Sequence, residues 1–92
     1  MMRVKFSKNV LKQLKKLDKS VSIKILKKLK EIEALENPRD EGKALMNNLA
    51  GFWRYRVGGY RIICKIKDNE LIILVVGVKN RSEAYDSSFS EE

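Results

Sequence analysis

The chain is expected to fold as an α+β domain: an N-terminal helical hairpin packed on one face of a small, mainly antiparallel twisted β-sheet, followed by a short C-terminal helical tail. Three observations lead there. Residues 7–36 carry two stretches of apolar side chains at helical spacing with a break around Asp18. Residues 52–78, FWRYRVGGYRIICKIKDNELIILVVGV, read as three strands joined by tight turns. At 92 residues the chain can build one core, so residues 1–92 are expected to be a single domain in which helices and sheet cover each other.

Taken in order, residues 3–6 are a short β-like run with Val4 and Phe6 on one face, expected to be an edge strand of the later sheet. Ser7 is a good N-cap, and Phe6, Val10, Leu11, Leu14 and Leu17 follow at helical spacing, so the first helix should cover about residues 8–17. Asp18-Lys19-Ser20 breaks the pattern. Ser20 is expected to cap a second helix whose stripe is Ile25, Leu26, Leu29, Ile32 and Leu35, ending near Glu36 because Asn37-Pro38 disfavours helix. Residues 39–51 read as a long loop, and loops of that length in small domains tend to serve a function.

Gly58-Gly59 sets the register of the sheet, since two-residue hairpins need positive φ, which glycine adopts without strain. Val57 then pairs with Tyr60, Arg56 with Arg61, Tyr55 with Ile62, Arg54 with Ile63 and Trp53 with Cys64. Alternation puts Trp53, Tyr55, Val57, Tyr60, Ile62, Cys64 and Ile66 on an apolar face, and Arg54, Arg56, Arg61, Ile63, Lys65 and Lys67 on the other. With a tight turn at Asp68-Asn69, Leu71, Ile73 and Val75 join the apolar face, Ile72, Leu74 and Val76 stand beside the basic residues, and Arg61 faces Val76. A strand apolar on both faces is expected to be central. The tail KNRSEAY would leave it near the Gly58-Gly59 end, and residues 86–92 read as a frayed polar terminus.

A net charge of +8 points to a polyanionic partner. Its distribution is uneven: residues 1–30 hold 11 Lys or Arg against one acid, a surplus of ten. Those lysines, Lys12, Lys15, Lys16, Lys24, Lys27, Lys28 and Lys30 among them, read mainly as the solvated faces of amphipathic helices, the alternative being nonspecific contacts to the phosphates of a large RNA. The more specific feature is Arg56 opposite Arg61, because like charges in register cost a few tenths to about 1 kcal/mol. An anion between them would relieve that cost. With no histidine, one cysteine and no HExxH, phosphate loop or GxGxxG, neither metal nor cofactor chemistry is expected. What remains is fixed positive charge with a nearby phenol, Tyr85, suited to holding RNA while a 2′-hydroxyl attacks the neighbouring phosphate. The amino terminus lacks a signal-peptide core and no apolar run suits a membrane span, so a cytoplasmic location without membrane association is the expectation.

FWRYRVGGYRIICKI followed by VGVKNRSEAYD resembles the RelE/ParE toxin superfamily of bacterial and archaeal toxin-antitoxin pairs, over about residues 2–86. The Arg-Tyr-Arg strand, Gly-Tyr-Arg turn and Arg-x-x-x-Tyr tail carry the likeness, and the tail looks more like the ribosome-dependent RelE endoribonucleases than the ParE-type gyrase poisons. The resemblance implies cleavage of mRNA in the A site of the 30S ribosome, and neutralisation by an acidic or amphipathic antitoxin that folds on binding into a heterodimer or heterotetramer. It implies a catalytic set of Arg54, Arg56, Arg61, Arg81 and Tyr85 with Lys79 beside them in the motif, and Lys43, Lys65 and Lys79 are expected to contact RNA. Two departures stand out. Arg54 and Arg56 occupy positions where RelE proteins commonly carry lysines, and arginine serves poorly as a general base, leaving Tyr85 or a purely electrostatic mechanism. Met46 stands where a basic residue is expected. Alternative readings are a gyrase inhibitor, or an impaired member that only binds its antitoxin.

Overall fold

Ser7 decides where the first strand stops and the first helix starts. In the computed structural model, which describes residues 2–80 and residue 82, its N–H closes on Val75 O at 3.0 Å while its Oγ accepts from Val10 N at 3.3 Å. The expected cap is therefore correct. It joins β1 (Arg3–Phe6) to α1 (Lys8–Lys16). The two-residue link Leu17-Asp18 leads to α2 (Lys19–Glu33), and here the cap differs from expectation. Asp18 takes that position, its carbonyl accepting from Val21 N and Ser22 N, and Ser20 lies within the helix. Ser22 Oγ donates instead to Leu14 O at 2.8 Å, tying the two helices together. The second helix ends at Glu33 rather than near Glu36. Leu35 N–H folds back on Ile32 O, and Asn37, extended as a residue before proline must be, starts a turn at Pro38–Asp40.

The expected long loop holds a fifth strand, β2 (Lys43–Ala44), too short and too exposed to leave an alternating signal. β3 (Trp53–Val57), β4 (Tyr60–Lys67) and β5 (Ile72–Asn80) complete a sheet in the order β1-β5-β4-β3-β2, antiparallel except for β1 along β5. β5 is second from the edge, flanked by β1 and β4. The β3–β4 register is the one Gly58-Gly59 dictates, from Trp53 opposite Cys64 to Val57 opposite Tyr60, with Gly58 at φ 55.

The next connection departs from the expected tight turn. Asp68–Glu70 forms a 3-10 turn and Leu71, at φ 56, is an exposed turn residue rather than a member of the apolar face. A β-bulge follows, with Ile63 opposite Gly77 but Cys64 opposite Val75. Arg61 consequently faces Lys79, not Val76. Ile73, Val75 and Val78 all enter the main core with Val10, Ile25, Leu29, Ile32, Tyr55, Ile62 and Cys64. On the opposite face Ile63, Leu74 and Val76 form a second, smaller cluster with Leu45, Phe52 and Ile72. Burial also pushes the Cys64 thiol well above its ordinary range, consistent with a small core side chain. Among the described residues no helix is long and apolar enough to cross a membrane.

Two inward aromatics pin the 38–43 segment to the sheet. Tyr55 OH donates to Pro38 O at 2.6 Å and Trp53 Nε1 to Glu41 O at 2.8 Å. Tyr55 is 1% exposed, and burial drives its phenol above the ordinary value, keeping it a neutral donor. Replacing Tyr55 by Phe should therefore cost about 1–2 kcal/mol, the penalty for stranding a buried acceptor. The urea midpoint reads that cost, and amide exchange should quicken first in residues 38–43.

Candidate nucleic-acid interface

No strand residue from β2 to β5 is acidic. The outer face of those strands therefore draws its charge from lysine and arginine, and the register arranges these residues in rows. Arg56, Arg61 and Lys79 form one row across β3, β4 and β5. Lys43 and Arg54 begin the next, which continues through Ile63 to Gly77, a position with no side chain to fill the floor. Lys65 belongs to a third row beyond Ile63, its Nζ 6.0 Å from the centroid of the Phe52 ring.

The bulge is what completes the first row. In an unbroken register β5 would send Lys79 to the same face as Ile73 and Val75, into the core. One extra residue reverses the alternation, so Val78 turns inward opposite Ile62 and Lys79 turns outward beside Arg61. Arg61 is held in place by a bond from its Nη2 to Asn80 O at 3.2 Å. Arg54 is half-buried, and its Nε–H is shielded from solvent with no hydrogen-bond partner, a rare condition for a buried donor. Arg56 is exposed.

Of the site residues expected from sequence, the structure gathers Lys43, Arg54, Arg56, Arg61 and Lys79, and leaves Lys65 one row away. Arg81 and Tyr85, and with them the expected helical tail, lie outside the described residues. Met46 is 77% exposed beside β2. Among the described residues no three His, Cys, Asp or Glu side chains are grouped to hold a metal ion.

One further cation is grouped with the other helix lysines in the sequence and singled out only by the structure. Lys28 on α2 reaches Glu41 Oε1 at 3.1 Å and, with Lys43, Arg54 and Arg56, lines a cavity of about 440 Å³ at the β3 edge. In sequence it is one lysine among many at helical spacing, and only the fold separates it from the rest. The segment carrying Glu41 is further clamped by Arg39, which holds Asp68 through two bonds of 2.9 Å and keeps that exposed carboxyl below its ordinary pKa. A separate apolar groove of about 470 Å³ runs between β1 and α2, lined by Val4, Phe6, Leu26 and Leu29, with the Glu33 carboxylate accepting from Val4 N at 2.7 Å.

Known proteins share both the fold and the sequence pattern. The family profile described as "ParE toxin of type II toxin-antitoxin system, parDE" matches residues 4–85. The mRNA interferase toxin RelE of Escherichia coli K12 is 33% identical over 90 residues, spanning 90% of this chain and 88% of that protein. Among solved structures, the RelBE2 toxin-antitoxin complex of Mycobacterium tuberculosis contains a chain that superposes with a TM-score of 0.78 at 24% identity, covering 89% of this chain and 93% of its own. A chain of the archaeal RelE-RelB complex from Pyrococcus horikoshii superposes at 0.69 with 28% identity, covering 90% and 98%.

Arg56 and Arg61 face each other across β3 and β4, a like-charge pairing of the kind that costs stability. Arg56→Thr keeps a good strand former on an exposed site while removing one like-charge neighbour. It should raise stability by a few tenths to about 1 kcal/mol at low ionic strength, and the gain should shrink as salt screens the row. Urea unfolding at low and high salt checks both.

Proposed function

The chain belongs to the RelE/ParE toxin superfamily of toxin-antitoxin systems, and we propose that it is an mRNA-cleaving toxin acting on messages in the ribosomal A site. It is RelE-like, with relatives named as mRNA interferases over most of their length. The observation that carries the reading is the row Arg56, Arg61, Lys79, three cations in register on a face with no acidic strand residue. Such a row suits one anionic centre with several oxygens.

In the proposed reaction the 2′-oxygen of one nucleotide attacks the adjacent phosphorus and the 5′-oxygen of the next nucleotide leaves. Negative charge builds on the phosphoryl oxygens, and guanidinium groups fixed by a rigid sheet stabilise it without reorganising. Arg61 is proposed for this role, and its tether to Asn80 O supports that by limiting its motion. Arginine stays protonated, so it does not take the 2′-hydroxyl proton. Tyr85, which follows β5 in the sequence, is proposed to orient the substrate and to assist that transfer, and Arg81 to add charge. Lys65, two rows from Arg61, is proposed to contact flanking RNA.

Relatives of this fold have been solved as toxin-antitoxin complexes, which supports a cognate antitoxin as partner. An acidic, flexible segment that folds across the cationic rows would neutralise the charge and exclude RNA together. A second reading has one observation in its favour, the match to a profile described as a ParE toxin. Inhibition of gyrase supercoiling by the purified protein, with messages left whole, would favour it.

Arg61→Ala should lower the cleavage rate on programmed ribosomes about a hundredfold, the usual loss when one charge-stabilising donor is removed, and Tyr85→Ala should lower it as well. A correctly folded double variant that cuts at the wild-type rate would refute the reading. In the same assay, an acidic antitoxin should suppress cleavage by the wild type.

A further inference from the structure

Nine lysines lie on the two helices, and eight of them are exposed. Lys28 is the exception. Its side chain, 26% exposed, leans from the helical layer toward the sheet edge and meets Glu41 at 3.1 Å. That placement depends on a tight approach of the loop to β3. Gly42 sits at φ 80, and a Cβ there would lie 2.4 Å from Arg54 O and 2.6 Å from Trp53 Nε1, so no other residue fits without moving the backbone. β2 pairs with β3 only at Lys43 and Ala44, which leaves Tyr55 to Val57, among the described residues, with no strand on that side. The space beside that free edge is the cavity lined by Lys28, Glu41, Gly42, Lys43, Arg54 and Arg56.

Four cations line this cavity against one carboxylate, and that carboxylate is engaged by one of the four. An anion is the ligand such a lining favours. Arg54 and Arg56 point from the same face of β3 and stand two residues, roughly 7 Å, apart, close to one nucleotide step along an extended RNA strand. Arg56 belongs both to the row assigned to the scissile phosphate and to the cavity wall, so it joins the two, while Lys28, Lys43 and Arg54 belong to the cavity.

Building on the RNA-cleaving reading, we propose that the cavity is a second phosphate subsite. It holds the phosphodiester next to the one being cut, with Lys28 as a direct contact. Lys28 has three N–H donors, so it can hold Glu41 and a phosphate oxygen at once. Glu41 keeps the long side chain extended over the cavity and so reduces the entropy lost on binding. Lys28 is therefore an RNA-binding residue contributed by the helical layer, and it fixes which linkage lies over Arg61.

Messages carrying a single methylphosphonate, which removes one phosphate charge, immediately 5′ or 3′ of the cut test this on programmed ribosomes. One of the two neutral linkages should lower wild-type kcat/KM about fivefold, the size of one partly exposed charge contact. Lys28→Met should be about fivefold slower on the unmodified message, insensitive to that same neutral linkage, and largely rescued as Lys28→Arg. Equal melting temperatures for the three proteins would exclude misfolding as the cause. The subsite is overturned if Lys28→Met matches the wild type on the unmodified message, or if the neutral linkages slow both proteins alike. A wild type that leaves the unmodified message whole overturns the RNA-cleaving reading itself, and the subsite with it.

Discussion

One extra residue in β5 organises both faces of this protein. Between Val75 and Val78 the chain must send side chains inward at each end, onto the helices, and strict alternation cannot do so over three positions. The bulge opposite Ile63 and Cys64 resolves the conflict by turning Val76 and Gly77 outward in succession. The core keeps Val78, and Lys79 emerges next to Arg61 instead of being buried as an unpaired charge. Packing on one face and charge on the other are thus set by the same backbone irregularity.

The helical layer depends on the same strand. β1 runs beside β5 only as far as Val75, where Ser7 ends it, and α1 then crosses so that Gln13 Oε1 accepts the Val78 N–H at 3.2 Å. Below the sheet, Trp53 and Tyr55 pack in the core and use their polar atoms to hold the 38–43 segment. A loop that is merely long in sequence becomes a fixed wall carrying Glu41 and Lys43. Rigidity of this kind is what an electrostatic site needs, because donors that need not reorganise stabilise developing charge most.

Legibility from sequence followed local chemistry. Gly58-Gly59 left a single register for β3 and β4, and the Arg56/Arg61 pair came with it. Ser7 marked the start of α1 for an equally local reason, whereas α2 stops at Glu33, short of the limit that Asn37-Pro38 sets. Asp68-Asn69 resembled a second tight turn, but Asp68 is engaged by Arg39 from a distant loop and Leu71 adopts a left-handed conformation that a sequence pattern does not suggest. The bulge was invisible because every residue around it is apolar or glycine, so either face is acceptable locally. Lys28 was equally hidden, since its distinction lies in Glu41 and the β3 edge, both remote along the chain.

Chemically, the proposed function rests on arginines and lysines held in register on one face of the sheet, with mRNA interferases among the relatives pointing to RNA as the proposed substrate. Primer-extension mapping of cellular messages after inducing this protein alone tests it most directly. The account predicts new 5′ ends inside translated reading frames, spaced in step with codons and absent from messages whose start codon is blocked. Messages that stay intact while growth stops, or cuts that ignore translation, would contradict it.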